Sequence, residues 1–497
     1  MPRGAITGMP KALLICAILL IPACNLQART ESPAPSPTRE TAASLPNPTQ
    51  TLEPSPTAAE ESSPPGDPYE LLIVTPAEFL EPMRKLADWK TATGISARIL
   101  TLEDVDRICK GRDAPERIKT CLALYEKQSG IRYAMLVGDG DKFPIRWTQA
   151  DIVGPTVGNT AYYPADLYYA DLYTKDGAFD EWDSNGNGLF GEIGGEIRSG
   201  PLNIDSVDLN PDIAVGRAPV STLTEALQYA DKVIGYESGA YGAAWAHRLL
   251  AISSGGYLPD DCQRQEDMLT LIPGAWEVVK IYYAGNPCRK TSELTADNII
   301  TELNNGVGLV SFLGHGDMDV WFDAVTIKDF ARVENAARLP VIFSGGCGTA
   351  TFTAGPPGGP YEDVNGVHHI GGSAGEIFDS IPPAPAPLQR ADNAEGMMEF
   401  SLVQTPSGVV IYVGAITGSQ FPAMFDVNEF FFEGIVRAGP RVGDAWNYAI
   451  RKYYEVHLFE KEYDHVDWYV LADFHQVWKF MLFGDPSLRI GGVQPPE

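Results

Sequence analysis

Residues 308–317 read GLVSFLGHGD, and residues 340–348 read PVIFSGGCG. Each stretch is a short apolar run that leads into a polar residue between glycines, His315 in the first and Cys347 in the second. Apolar runs of this length bounded by glycine are typical of buried strands. An amphipathic segment over 297–305 precedes them, so this part of the chain is predicted to form βαβ units with parallel strands.

The same alternation of apolar runs and amphipathic segments extends outward over most of the chain. Strands are predicted over 71–75, 97–101, 133–137, 249–253, 278–283, 308–313 and 339–344. Helices are predicted over 79–93, 118–129 and 297–305, and the capping box Thr222-Leu223-Thr224-Glu225 opens another that runs to about Glu237. This order predicts an α/β protein with two tandem α/β subdomains, whose mainly parallel sheets are covered by helices. The N-terminal subdomain would span 69–240 and a second subdomain, which contains His315 and Cys347, would span 241–497. A Gly- and Asp-rich region over 154–211 would join the two α/β units.

The first 24 residues have the plan of a signal peptide. Arg3 and Lys11 precede an apolar run over 12–23, which is too short for the roughly 20 residues that cross a bilayer. The run ends in LIPAC over 20–24, which resembles the bacterial lipobox, so Cys24 is the predicted lipidation site. An ordinary secretory signal cleaved nearby is the alternative. Either interpretation predicts export, and the first predicts a lipid anchor at the cell surface or the outer face of the membrane.

Residues 25–68 are rich in Pro, Ser, Thr, Ala and Glu and contain few large apolar side chains. Such a segment cannot bury enough surface to offset its ordering entropy. It is therefore predicted to be a semi-extended tether, and the folded part should begin at Tyr69.

The overall charge limits the partners. The chain has 37 Lys and Arg against 65 Asp and Glu, a formal net charge of −28. A field of this sign disfavours nonspecific binding to polyanions, so nucleic acid is not an expected partner.

His315 and Cys347 should meet where the two strands end, because ligands of open α/β sheets bind at the carboxyl ends of the strands. An imidazole can convert a nearby thiol to the nucleophilic thiolate. Backbone N–H groups at Gly346, Cys347 or Gly348 could form an oxyanion hole. Taken singly, Cys347 could be an inert buried thiol, and His315 with Asp317 and Asp319 could be a metal cluster. Together the two residues favour a thiol hydrolase.

Over most of 69–492 the sequence resembles the gingipain family of cysteine peptidases. The matching segments are YAMLVGD at 133–139, DLYYAD at 166–171, PDIAVGR at 211–217, the turns at His315 and Cys347, and FGDPSL at 483–488. The resemblance implies a caspase-like fold, with His315 as general base and Cys347 as nucleophile. A Gly- and Pro-rich stretch over 353–390 departs from the family pattern as an apparent insertion. Its His368 and His369 are predicted to be surface loop residues rather than metal ligands.

The sequence offers two candidates for a third member of the site. Asp260 and Asp261 follow the predicted strand 249–253, near the place where the family positions its specificity-pocket acid. Either could orient His315, as the acid of a triad does, or select a cationic P1 residue of the substrate. Two solvated loop acids are the alternative, and Asp261 is slightly preferred for a pocket role.

An oxygen-rich loop reads DSNGNG over 183–188, with Glu192 four residues later. Asp183, Asn185 and Asn187 alternate, so their side-chain oxygens could surround one hard cation, with Glu192 closing the site. Family members carry calcium here or nearby, which implies a structural calcium ion, the alternative being a hydrophilic turn. No organic cofactor is expected.

Seven cysteines include Cys16 and Cys24 of the signal segment. The remaining five are an odd number, which in an exported protein points to one reactive thiol. Local disulfides between Cys109 and Cys121 and between Cys262 and Cys288 are possible in an oxidising compartment, and two buried thiols are equally admissible for the first pair.

These inferences predict an extracytoplasmic, membrane-tethered cysteine endopeptidase with protein or peptide substrates. The mechanism would be thiolate attack, an acyl-enzyme and hydrolysis. The alternative from another class is a non-catalytic surface lipoprotein of the same fold that binds protein or polysaccharide.

Overall fold

The computed structural model describes residues 68–151, 160–194, 202–255, 261–389, 396–420, 423–458 and 468–495, without the side chains of residues 160, 261 and 468–472. The signal segment with Cys24, the tether up to residue 67, and Asp260 therefore lie outside the described residues. In the part that is described, no helix is long and apolar enough to cross a membrane.

The strands are short and their side chains are mostly buried. In chain order they are β1 (Leu71–Thr75), β2 (Ala97–Thr101), β3 (Tyr133–Val137), β4 (Trp147–Asp151), β5 (Thr160–Pro164), β6 (Phe190–Ile193), β7 (Ala214–Ala218), β8 (Arg248–Gly255), β9 (Glu277–Tyr282), β10 (Ser292–Glu293), β11 (Leu309–Gly314), β12 (Gly316–Asp317), β13 (Val320–Trp321), β14 (Val325–Thr326), β15 (Val341–Ser344), β16 (Tyr361–Glu362), β17 (His368–His369), β18 (Ile411–Ala415) and β19 (Phe480–Phe483).

Eleven of these strands form one sheet in the order β10-β9-β8-β11-β15-β18-β19-β7-β3-β1-β2. Every pairing in it is parallel except that of β18 with β19. The mainly parallel α/β sheet predicted from the sequence is confirmed. Strands from 69–240 and from 241–497 share this sheet, because β19 pairs with β18 on one side and with β7 on the other.

Helices cover the sheet, as expected for strands whose residues are apolar without alternation. They are α1 (Leu80–Ala92), α2 (Leu102–Ile108), α3 (Ala114–Ser129), α4 (Leu167–Ala170), α5 (Leu223–Ala240), α6 (Asp261–Leu269), α7 (Ala296–Asn305), α8 (Ile327–Phe330), α9 (Met397–Glu399), α10 (Ala423–Arg437), α11 (Val442–Tyr453) and α12 (Trp468–Lys479). Short 3-10 turns lie at Ala77–Phe79, Ala244–His247 and Gly372–Ala374, and π-helical turns at Phe400–Gln404 and Tyr454–Leu458.

The ends of the helices follow their capping residues. Thr222 accepts a hydrogen bond from the Glu225 N–H and the Glu225 side chain bonds back to Thr222, so the predicted capping box is present at α5. α3 begins at Ala114, four residues before the prediction, because Asp113 caps it by accepting from the Glu116 N–H.

The linking region over 154–211 is more ordered than its composition indicated. Among the described residues, β5, β4 and β6 form a small three-stranded sheet. A buried ion pair joins this region to the main sheet, with the Arg217 Nε and Nη2 atoms 2.8 and 2.6 Å from the carboxylate oxygens of Asp166. This paired donor geometry satisfies a guanidinium that is fully buried.

Candidate active site

The His315 and Cys347 turns leave neighbouring strands at the same edge of the sheet. β11 and β15 are parallel, with Leu309 opposite Val341 and Phe312 opposite Ser344. His315 directly follows β11, and Cys347 follows β15 after two glycines. The structure thus brings both predicted residues to adjacent turns.

Glycine lets these two turns touch. A Cβ atom added at Gly346 would lie 3.1 Å from the Gly316 Cα, and one added at Gly316 would lie 2.5 Å from Thr349 Cγ2. Real Cβ atoms rarely approach other heavy atoms so closely, so a side chain at either position would push the turns apart. The residue after His315 is therefore in contact with the residue before Cys347.

Cys347 is partly exposed and belongs to neither disulfide. Its Sγ lies 3.5 Å from the Ser419 carbonyl oxygen and 3.7 Å from Ser419 Oγ. Ser419 Oγ also donates to the Gly345 carbonyl oxygen at 3.1 Å. The segment after β18 thereby holds the thiol against the end of its own strand, while part of the residue remains accessible to a substrate.

His315 is an exposed residue on a turn with a fixed backbone. Its carbonyl oxygen accepts from the Phe322 N–H at 3.0 Å, across the small sheet of β12, β13 and β14. Trp321 of this sheet stacks on Phe312 of β11, with ring centroids 4.3 Å apart. The imidazole therefore stands at the surface on a rigid support, where it could exchange protons with a thiol and a substrate.

One of the N–H groups expected to form the oxyanion hole, that of Gly348, is already bonded within the protein. Gly348 has a positive φ of 63° and its N–H donates to the Thr417 carbonyl oxygen at 2.8 Å. The Gly348 amide is therefore committed to the protein and does not serve as an oxyanion donor in this conformation, contrary to the sequence-based expectation. Gly346 remains a predicted donor, since it lies in the turn between β15 and the thiol.

A buried polar residue that the sequence analysis did not identify lies beside this site. Lys479, at the end of α12, is only 2% exposed, and its Nζ lies 3.3 Å from Gln420 Oε1. Burial lowers the pKa of Lys479 to about 8, and the negative charge of Cys347 acts in the opposite direction. The sequence does contain a signal, because Lys479 is a lone charged residue in the apolar run VWKFMLF over 477–483.

The structure does not test the prediction that Asp260 or Asp261 is a third member of the site. Asp261 begins α6, and its side chain is outside the described atoms, as is the whole of Asp260. The structure therefore assigns neither acid to His315 nor to a pocket.

The oxygen-rich loop does bring its four predicted residues together. Glu192 Oε2 accepts from the amide nitrogens of Asn185 and Asn187 at 2.7 and 2.8 Å. Asp183 Oδ1 accepts from the Asn187 N–H at 2.9 Å, and Arg112 Nη1 lies 2.6 Å from Asp183 Oδ2. Asp183 and Glu192 are both buried.

A third carboxylate, missed in the sequence analysis, accepts hydrogen bonds from the backbone of this loop. Asp205 accepts from the Ser184 and Glu192 N–H groups at 2.9 and 2.8 Å. Burial raises the pKa of Asp205 to about 6, and the nearby charges of Glu192 and Asp183 raise it too. Like charges gathered in a buried place favour a bound cation.

The donor chemistry of the loop fits calcium, with one condition. Among the described residues, no group of three or more His, Cys, Asp or Glu side chains is positioned to hold a metal ion. A cation would therefore also need the amide oxygens of Asn185 and Asn187, which now accept from the Asn187 and Leu189 N–H groups. The amide nitrogens of both side chains, which now donate to Glu192, would have to give up these bonds. Such a donor set, all oxygen, is the kind that calcium prefers.

The insertion is a folded element in which the two histidines differ. β16 and β17 pair as an antiparallel hairpin, and the His368 side chain is 82% exposed, in agreement with a surface position. The prediction of a surface loop is wrong for His369, whose side chain is 11% exposed. His369 Nδ1 lies 2.7 Å from Glu376 Oε1 and its Nε2 3.4 Å from Asp363 Oδ2, and its ring stacks on Tyr361. These contacts join the hairpin to the rest of the insertion.

Both possible disulfides are present in the structure. Cys109 is bonded to Cys121, and Cys262 to Cys288. The alternative of two buried thiols at Cys109 and Cys121 is thereby excluded, and Cys347 is the one thiol among the described cysteines.

Comparison with known proteins defines the family. The model of peptidase family C25 matches residues 64–491, so the chain belongs to this family of cysteine peptidases. Gingipain R2 of Porphyromonas gingivalis strain W83 is 21% identical over 305 residues, which are 58% of this chain and 33% of that protein. Gingipain R1 of the same species is also 21% identical over 305 residues, covering 58% of this chain and 24% of that protein. The chain thus spans about a third or less of the length of these curated relatives.

Solved structures show the same fold. The crystal structure of the Arg-specific cysteine proteinase gingipain R superposes with a TM-score of 0.56 at 17% identity, covering 85% of this chain and 78% of that one. The complex of the RgpB pro- and mature domains from Porphyromonas gingivalis gives a TM-score of 0.56 at 17% identity, covering 85% and 79%. The predicted gingipain-type, caspase-like α/β fold is confirmed.

Proposed function

We propose that this chain is an extracytoplasmic cysteine endopeptidase that cleaves protein or peptide substrates with Cys347 and His315. The observation that carries the proposal is the contact between the two glycine turns in a member of peptidase family C25. A partly exposed thiol and an exposed imidazole at the carboxyl ends of two neighbouring parallel strands support this assignment.

Each step can be assigned to an atom. His315 takes the proton of Cys347 Sγ, and the thiolate attacks the carbonyl carbon of the peptide bond. His315 then gives this proton to the leaving amine, which leaves an acyl group on Sγ. Water, deprotonated by His315, hydrolyses the thioester and restores the thiol. The N–H of Gly346 is the proposed donor to the oxyanion of each tetrahedral intermediate.

The test is hydrolysis of a peptide pool by the purified full chain, with calcium and a reductant mild enough to spare both disulfides. Cys347→Ala should abolish cleavage and labelling by a thiol-directed acyloxymethyl ketone, because no acyl-enzyme can form. His315→Ala should reduce turnover about 10²–10⁴-fold, the usual value of general acid–base assistance. His368→Ala is the matched control, since this histidine is exposed on the insertion, and it should leave turnover unchanged.

Two results would contradict the proposal. Cleavage by Cys347→Ala at the wild-type rate would exclude this thiol as the nucleophile. A wild-type chain that neither cleaves any peptide nor reacts with the ketone would instead favour the surface lipoprotein that only binds protein or polysaccharide.

We also propose a structural calcium ion and a lipid anchor. Calcium would be held by the oxygens of Asp183, Asn185, Asn187 and Glu192. None of these residues is assigned a part in the chemistry, so the ion would act on stability. The anchor would be attached to Cys24 at the end of the signal segment. Two disulfides in the folded part support an oxidising, extracytoplasmic location.

A further inference from the structure

Lys479 is a buried ammonium without an acidic partner among the described residues. Its Nζ has one amide oxygen nearby, Gln420 Oε1 at 3.3 Å, and lies 5.1 Å from the centre of the Tyr163 ring. No described carboxylate lies within ion-pair distance of it. Burying a charge is costly unless an anion or several hydrogen bonds compensate, so this position calls for a negative charge nearby.

The same short segment of backbone contacts both Lys479 and the Cys347 turn. The Ile416 N–H donates to the Lys479 carbonyl oxygen at 2.8 Å, and the Thr417 carbonyl oxygen accepts from the Gly348 N–H at 2.8 Å. Further along the same segment, Ser419 contacts Cys347 Sγ and Gln420 contacts Lys479 Nζ. Residues 416–420 therefore bridge the end of α12 and the Cys347 turn, with the two contacts on consecutive residues.

The other described groups around Lys479 are uncharged, so Cys347 is the candidate source of a compensating negative charge. Burial holds the pKa of His475 well below its usual range, and the Lys479 charge lowers it further, so this imidazole is neutral. Burial raises the pKa of the Tyr163 phenol, which is also neutral. Gln420 cannot ionise. Of the charges that act on Lys479, the negative one comes from Cys347.

We infer that Lys479 is a positioning residue whose ammonium, held by Gln420 and residues 416–420, stabilises the thiolate form of Cys347. The inference rests on the proposed function and adds a residue to it. In each cycle the Sγ proton passes to His315 and returns from it to the leaving amine, while Lys479 keeps all three of its protons. The ammonium therefore compensates the charge that remains on sulfur after proton transfer.

The rate at which iodoacetamide alkylates Cys347 measures the thiolate population without requiring any peptidase activity. Mass spectrometry of the peptide that contains Cys347 gives this rate from pH 5 to pH 10 in the full chain, separately from other thiols. In Lys479→Met, which keeps most of the side-chain volume, the rate at pH 6 should fall about tenfold, the low end of the effect of a neighbouring opposite charge. The difference should vanish above pH about 8, where the Lys479 amine loses its proton.

Two further variants separate charge from structure. Gln420→Glu retains Lys479 but places a carboxylate beside its Nζ, so it should shift the alkylation profile to higher pH as Lys479→Met does. Lys232→Met is the matched control, because Lys232 is equally buried but donates to the Ser401 and Leu402 carbonyl oxygens. It should leave the Cys347 profile unchanged.

The outcomes distinguish this inference from the proposed function. If Lys479→Met and Gln420→Glu both fold, as judged by cooperative melting, and alkylate Cys347 at the wild-type rate at pH 6, the inference is overturned. If Lys479→Met does not fold, the alkylation rate of Cys347 in Gln420→Glu at pH 6 alone tests the inference. A shifted profile in a chain that cleaves no peptide would support the role of Lys479 while contradicting the peptidase.

Discussion

Single glycines set the distance between the turns that carry the proposed nucleophile and the proposed base. Because Gly316 and Gly346 face each other across the two turns, their lack of a side chain is what allows the turns to meet. The sequence showed these positions because each reactive residue stands between glycines. It did not show Lys479 or Asp205, since the contacts of both come from residues distant in the chain.

Gly316→Ala tests this role. The added Cβ would lie 2.5 Å from Thr349 Cγ2, so the His315 turn should move away from Cys347. We expect a loss of about 1–3 kcal/mol in the free energy of unfolding, typical of overpacking, and at least a tenfold loss of peptide cleavage. Gly355→Ala is the control, because an added Cβ there meets nothing within 4 Å. If Gly316→Ala and Gly355→Ala cleave peptide at equal rates and have equal melting temperatures, the close approach of the two turns is not needed for activity or stability.

At the scale of elements, apolar strands and capped helices were predictable, and elements with polar sequences were not. β1, β2 and β3 have the predicted bounds; β1 and β3 are buried over their whole length, whereas β2 is fully buried only at Leu100. β6 was not predicted, since its sequence FGEI lies in a region rich in Gly and Asp. Its Glu192 is buried by the loop it helps to form, which no local pattern of hydrophobicity reveals.

The loop over 183–192 gives a prediction at this scale. Removing calcium with a chelator should lower the melting temperature. An ion at a free concentration 100 times its dissociation constant adds about 2.7 kcal/mol to the free energy of unfolding. Glu192→Gln should weaken this dependence strongly, because it removes one of the converging carboxylates. Asp176→Asn, at an exposed position before the loop, should keep it. An identical melting curve of the wild type with and without chelator would count against a structural ion.

For the whole molecule, the α/β class followed from the order of strands and helices, but the continuity of the sheet did not. The sequence indicates where strands begin and end, whereas the order of strands depends on long-range pairing. The pairing of β19 with both β18 and β7, which joins the two halves of the chain, is of this long-range kind. A boundary near residue 240 thus separates segments of sequence that share one sheet.

The anchor is also a property of the whole molecule. When the full chain is expressed in a bacterium, it should partition into the detergent phase, because lipid on Cys24 adds apolar surface that the folded part lacks. Cys24→Ser should release the protein to the aqueous phase without changing its melting temperature. A processed wild-type chain that stays wholly aqueous would exclude the lipid anchor and leave the ordinary secretory signal.

The central place of β19 has a consequence for biosynthesis. A ribosome makes the chain from its N-terminus, and residues 480–483 leave it after all the other strands of the sheet. Until then the two halves of the sheet cannot join, and Lys479 cannot reach the segment that contacts Cys347. A nascent chain therefore cannot complete this edge of the sheet, and with it the proposed catalytic site, before residues 480–483 have left the ribosome.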